Sequence, residues 1–128
     1  MIHQVCIGVG SNIAPQENIA AAQAIIQEAF PSFRASQFVT TTPIGNTLQD
    51  DYVNGAFCVH TTWTEAQLTA WLKATEAQLG RVRTADKYGP RIIDLDVVVW
   101  DGEVRDDDFY ERDFLKKAVL ELLPDLQH

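Results

Sequence analysis

Asp94 and Asp96 stand two apart in the apolar run Ile92–Trp100, and that spacing is the sharpest chemical signal in the chain. A strand sends alternate side chains to opposite faces, so both carboxylates project from one face. Flanked by Ile93, Leu95 and Val97, they repel each other and lose hydration unless cations or arginines neutralise them. Oxygen ligands from one or two carboxylates, with phosphates completing the shell, suit magnesium. The same spacing also describes a strand with one polar face, its aspartates solvated or paired with Arg91, and spacing alone leaves both readings open.

Arg81, Arg83 and Arg91 flank a segment with Gly80, Gly89 and Pro90, the composition of a loop able to move over a ligand. Guanidinium forks match phosphate oxygens two at a time. Taken alone, the segment also reads as an ordinary solvated loop whose surface ion pairs contribute little. An arginine loop running directly into a strand with two carboxylates supplies both halves of a metal-nucleotide site.

Other motifs carry less. Gly8-Val9-Gly10-Ser11-Asn12 lies between a strand and a helix, yet it lacks the Lys-Ser or Lys-Thr of a phosphate loop and the third glycine of a dinucleotide turn, so it reads as tight turn chemistry. Tyr52 and Asn54 share one strand face and suit stacking on, and hydrogen bonding to, a flat heterocycle, although an aromatic in a strand is more often core. His3, His60 and His128 have no spaced partners and receive no role. Cys6 and Cys58 lie in apolar strand patterns without zinc spacing, which predicts buried free thiols.

The elements that must position these residues follow from periodicity. Val5–Val9 is a first buried strand, closed by a turn at Gly10-Ser11-Asn12. Pro15 opens a helix in which Ile19, Ala22, Ile26 and Ala29 recur until Pro31. Phe33–Thr41 and Val53–Thr61 read as strands around a loop over residues 42–51. Thr64 with Gln67 forms a capping box for a helix whose Leu68, Trp71, Leu72, Thr75 and Leu79 line one face up to Gly80, with Glu76 at the edge of that face. Ile92–Trp100 is a strand, Asp101-Gly102 a hairpin turn into Glu103–Arg105, and Phe114–Leu123 a closing helix stopped by Pro124. The order strand, helix, strand, strand, helix, strand predicts an α+β fold of ferredoxin-like split βαβ type, two helices covering a mainly antiparallel sheet.

At 128 residues, with 46% hydrophobic residues, the chain fits a single domain, residues 1–128. No stretch approaches the roughly 18 apolar residues of a membrane span, and no basic leader precedes the first strand, so a cytoplasmic protein is expected. A net charge of -8 argues against nucleic-acid binding, including the RNA-binding modules built on a similar architecture. Four of the ten basic residues nevertheless fall in residues 81–91, which suits a small polyanion.

In combination these residues resemble the 6-hydroxymethyl-7,8-dihydropterin pyrophosphokinase family. Gly10-Ser11-Asn12, Thr42-Pro43-Ile44-Gly45, Asp51-Tyr52-Val53-Asn54, Glu76 with Gly80-Arg81-Val82-Arg83, and above all Gly89-Pro90-Arg91 through Asp94-Leu95-Asp96 follow its pattern in order, over nearly the whole chain up to about residue 105. The resemblance implies transfer of diphosphate from ATP to 6-hydroxymethyl-7,8-dihydropterin in folate synthesis, by a monomeric enzyme dependent on ATP and magnesium. It implies two magnesium ions on Asp94 and Asp96, with Asp96 the nearest acceptor for the hydroxyl proton. Arg81 and Arg91 would support the transition state, and Glu76, Arg83, Arg91, Val97 and Arg112 would attend ATP. Tyr52 and Phe114 would sandwich the pterin, Asn54 would hydrogen-bond its edge, and Thr41, Pro43 and Ile44 would shape the pocket. The chain departs from the family pattern around Asp106-Asp107-Asp108, where a His-Pro or His-Tyr pair is usual and the histidine is missing, and is trimmed in its C-terminal third. Those departures motivate the alternative of a non-catalytic pterin-binding relative acting as regulator or partner subunit.

Overall fold

Alternating apolar residues make β1 (His3–Ser11) the centre of the molecule, with Val5, Ile7 and Val9 on one face and Cys6 and Gly8 on the other. The computed structural model describes residues 1–42, 51–80 and 92–128. Helix α1 (Pro15–Ala29) follows, then the short strands β2 (Arg34–Ala35) and β3 (Val39–Thr41), and the long β4 (Tyr52–Thr61). Helix α2 (Glu65–Gln78) leads on to β5 (Asp94–Trp100), β6 (Glu103–Val104), α3 (Asp108–Glu111) and α4 (Asp113–Leu122). The sheet runs β2-β4-β1-β5-β6 with β3 also on β4, and every described pairing is antiparallel. This is the expected α+β arrangement of helices packed on a mainly antiparallel sheet.

Two cores flank the sheet. Ile19, Ala22 and Ile26 of α1 and Leu68 and Leu72 of α2 bury Val5, Ile7, Val9, Phe57, Val59 and Leu95. On the opposite face, Leu115, Ala118, Val119 and Leu122 of α4, with Phe109 of α3, cover Cys6, Ala56, Cys58 and Val98. Each fully buried Leu, Ile or Val contributes roughly 1.5–3 kcal/mol, so both helical layers are held by apolar burial. The capping box at Thr64 forms as the sequence predicts, with Gln67 N donating to Thr64 Oγ1 at 3.1 Å and Thr64 N to Gln67 Oε1 at 2.9 Å. Cys6 and Cys58 are directly opposed across β1 and β4, buried and free. A hydrogen bond from the Cys6 thiol, helped by Arg34 against the effect of burial, lowers Cys58 to about 7.

Several boundaries differ from the sequence reading. β1 continues through Ser11, so Gly8 and Gly10 lie inside a strand rather than in the turn expected of them. The turn comes later, at Ala14, whose φ is 40°. The single strand expected over Phe33–Thr41 is broken at Ser36–Phe38. Ser36 causes the break: its N–H donates to Ala56 O, and its Oγ accepts from Ala56 N at 2.9 Å, so a side chain replaces a backbone rung. β5 starts at Asp94 rather than Ile92, and the short α3 was not anticipated. Asp101 and Gly102, at φ 48° and 82°, form the expected turn.

Ser36→Ala leaves the buried Ala56 N–H without its acceptor and is expected to cost about 1–2 kcal/mol in urea unfolding. Asp101 accepts from His3 Nδ1 at 2.6 Å and from Gln4 N at 2.9 Å, and these bonds hold its carboxyl below the ordinary value. A depressed folded pKa contributes stability above the unfolded value of about 3.9 and loses it as pH falls through the folded value. Asp101→Asn, which tolerates the same backbone, is therefore expected to lower Tm at pH 7, with the gap to the unsubstituted protein closing on acidification.

Candidate active site

The opening lies where three strands meet α3 and α4. Register sets Gly10 of β1 between Asn54 of β4 and Asp94 of β5, and Gly8 between Ala56 and Asp96. Even-numbered residues of β4, and those of β5 from Asp94 to Val98 before a bulge shifts the register, point with Cys6 toward α4, so Asn54, Asp94 and Asp96 share that face. They line a cavity of about 240 Å³ together with Thr41, Tyr52, Asp106, Asp108, Arg112 and Phe114.

The two glycines are its floor. A Cβ at Gly10 would sit 2.7 Å from Asn54 Oδ1, and one at Gly8 would sit 3.0 Å from Val98 Cγ2. Only hydrogen at these positions leaves room between sheet and helix. Asn54 is oriented by its neighbour across β3, donating from Nδ2 to Thr41 Oγ1 at 2.6 Å. That bond fixes the amide and leaves its remaining polar groups to face the cavity.

The carboxylates meet two described cations. Lys73 of α2 reaches around the edge of β5 and donates to Asp96 Oδ1 at 2.8 Å, Glu76 Oε2 at 3.1 Å and Leu95 O at 2.9 Å. Burial pulls the Lys73 ammonium down, but the Asp96 and Glu76 carboxylates outweigh it and raise its pKa above the ordinary lysine value. Arg112 Nε lies 3.4 Å from Asp108 Oδ1. Asp106 is pushed up by burial, against a hydrogen bond from Asp108 N, and further by the charges of Asp108, Asp96 and Asp107.

Of the residues singled out in sequence, the structure brings Asp94, Asp96, Thr41, Tyr52, Asn54, Arg112 and Phe114 to one cavity. Glu76 and Val97 stand apart from it. Glu76 is 1% exposed and accepts from Leu95 N at 2.7 Å, while Val97 packs on the α1–α2 core. Arg81, Arg83, Arg91, Pro43 and Ile44 lie outside the described residues. Gly8, Gly10, Lys73, Asp106 and Asp108 were missed as site residues. Glycines two apart inside an apolar strand were the available signal for the first pair; Lys73 gave none, being one lysine on a helix.

The donor set fits magnesium. Asp94 and Asp96 bring hard carboxylate oxygens to one cavity, a partial shell that phosphate and water would complete; among the described residues no group of three or more His, Cys, Asp or Glu could hold a metal ion.

An α+β sheet whose two carboxylates share one cavity with aromatic rings and an amide defines a small-molecule binding domain. The chain matches the model of the 7,8-dihydro-6-hydroxymethylpterin-pyrophosphokinase family over residues 6–124, and it belongs to that family. Its function is that of a pyrophosphokinase in folate synthesis. It is similar to the 2-amino-4-hydroxy-6-hydroxymethyldihydropteridine pyrophosphokinase of Methylorubrum extorquens, at 34% identity over 94% of this chain and 82% of that protein. The Synechocystis protein of the same description is 31% identical over 77% of this chain and 51% of its own length. The folic acid synthesis protein fol1 of Schizosaccharomyces pombe is 29% identical over 95% of this chain, which spans 18% of it.

Gly10→Ala tests the floor. The added methyl must displace Asn54, so pterin affinity measured by calorimetry is expected to fall about tenfold or more, while thermal stability changes by less than the roughly 3 kcal/mol of a severe core defect.

Proposed function

We propose that residues 1–128 form a single domain that transfers diphosphate from ATP to 6-hydroxymethyl-7,8-dihydropterin, releasing AMP and the pterin diphosphate. The observation that carries this reading is the shared cavity: Asp94 and Asp96 line the same space as Tyr52, Asn54 and Phe114. A flat ring held between Tyr52 and Phe114, with its polar edge on Asn54, directs its hydroxymethyl group toward the carboxylates. The hydroxymethyl oxygen forms a bond to the β-phosphorus, the bond from that phosphorus to the α,β-bridging oxygen breaks, and AMP keeps the oxygen and its electron pair. Asp96 is the nearest carboxylate to accept the hydroxyl proton.

Asp94 and Asp96 would hold magnesium, two ions in the full complex, which when bound neutralises triphosphate charge. Arg112 supplies a guanidinium at the cavity wall. Arg81 and Arg91 are assigned to phosphate contact and transition-state support, and Arg83 to the ATP side, on the family resemblance. Pro43 and Ile44 are assigned to the pterin pocket on the same ground. Glu76 serves through the strand it holds, and Val97 through its backbone. No described helix is long and apolar enough to cross a membrane; the two free buried thiols suit a reducing compartment and so a cytoplasmic location, and a monomeric state is assigned on the family resemblance alone.

The test follows AMP in a mixture of protein, ATP, magnesium and the hydroxymethylpterin. Asp96→Ala is expected to lower kcat by about a hundredfold or more. Failure of the unsubstituted protein to form AMP above the Asp96→Ala control overturns the reading.

A further inference from the structure

We propose that Lys73 is a positioning residue that restricts Asp96 to one free oxygen and keeps the cation site weak until nucleotide arrives. The inference rests on reading Asp94 and Asp96 as the magnesium site. Lysine has three N–H donors, and here each has an acceptor: Asp96 Oδ1, Glu76 Oε2 and Leu95 O. A long flexible side chain that ends in such a tripod is pinned. The ammonium sits at the edge of β5, about a third exposed, at 31% side-chain accessibility. Its charge is therefore less screened than that of a surface lysine.

Among the described residues, Oδ2 of Asp96 makes no hydrogen bond or ion pair. A divalent cation thus meets Asp96 first through that oxygen, on a carboxylate already carrying an ammonium on its other oxygen. The neighbouring positive charge raises the energy of a bare dication at the site. It favours a cation that arrives with the negative charge of a triphosphate. Magnesium bound together with ATP is selected over magnesium alone, and the carboxylate pair is kept from repelling itself while the site is empty of both. Lys73 reaches Asp96 from the far side of the sheet, so it does this without occupying the substrate cavity.

Manganese, read by electron paramagnetic resonance, serves as the probe on the full chain. Lys73→Gln and Lys73→Met are expected to bind manganese alone about tenfold more tightly than the unsubstituted protein, whereas Lys73→Arg keeps the weak binding. Glutamine retains a donor for Leu95 O and Asp96, so it separates loss of charge from loss of packing even where the methionine variant folds poorly. With a non-hydrolysable ATP analogue present, the advantage of the glutamine variant is expected to shrink. Manganese affinity that is unchanged or weaker in a folded Lys73→Gln protein overturns the proposal. Asp96→Asn is measured beside it: loss of manganese from its nucleotide complex supports the metal reading of the site, and undiminished binding there sinks that reading separately from the role of Lys73.

Discussion

The edge of β5 at Leu95, which no described strand pairs, is the constraint on which the site depends. β6 covers β5 only at Val99 and Trp100, so the outer rim at Leu95 presents backbone groups that a sheet would normally satisfy with another strand. Among the described residues α2 does the work instead: Glu76 accepts from Leu95 N and Lys73 donates to Leu95 O. A Glu and a Lys three apart on a helix face imitate one rung of a ladder. The rung lies between Asp94 and Asp96, and by holding Leu95 it sets the direction of both carboxylates on the opposite face. Glu76 can be 1% exposed because its carboxylate has an ammonium and a backbone N–H for partners, the condition for burying a charged group.

The other side of the site is made by subtraction. A sheet face under a helix is normally filled, and the α4 face is filled at Cys6, Ala56, Cys58 and Val98. At Gly8 and Gly10 the filling stops, and the space that side chains would take becomes the cavity floor. Glycine inside a strand weakens it. The neighbours offset that loss: β1 is the central strand, paired on both sides along its length with β4 and β5. The empty space sits where the sheet is best supported.

Much of this was legible in the sequence because it follows from period and capping. The two-residue alternation of Ile93, Leu95 and Val97 against Asp94 and Asp96 fixed the face of the carboxylates, and Thr64 with Gln67 fixed where α2 begins. The errors arose where a side chain replaced backbone. Ser36 substitutes for a rung opposite Ala56 and splits a strand that propensity alone would continue. Gly8 and Gly10 invited a turn because glycine is common in turns, whereas their use here depends on α4, which lies more than a hundred residues on. Lys73 was invisible for the same reason: its meaning comes from Asp96 and Leu95, partners that only the packing of α2 against β5 brings within reach. The pairing of distant segments is what local pattern cannot encode.

The acidic run at residues 106–108 shows how charge is apportioned around the cleft. Asp106 and Asp108 line it, beside Asp94 and Asp96, and their mutual repulsion contributes to the raised pKa of Asp106. Each described cation in contact with these acids already serves one of them, Lys73 on Asp96 and Arg112 on Asp108. A triphosphate entering such a cleft finds little uncommitted positive charge on the described walls. Under the proposed function, its charge would be neutralised by ions it brings or by arginines of the segment 81–91, where four of the ten basic residues of the sequence lie. On the proposed reading the labour divides: the described sheet and helices hold acids and an aromatic pocket, and positive charge would come from the ligand's counter-ions and from the arginines of the sequence segment 81–91. That arrangement would let a protein with a net charge of -8 act on a highly charged triphosphate.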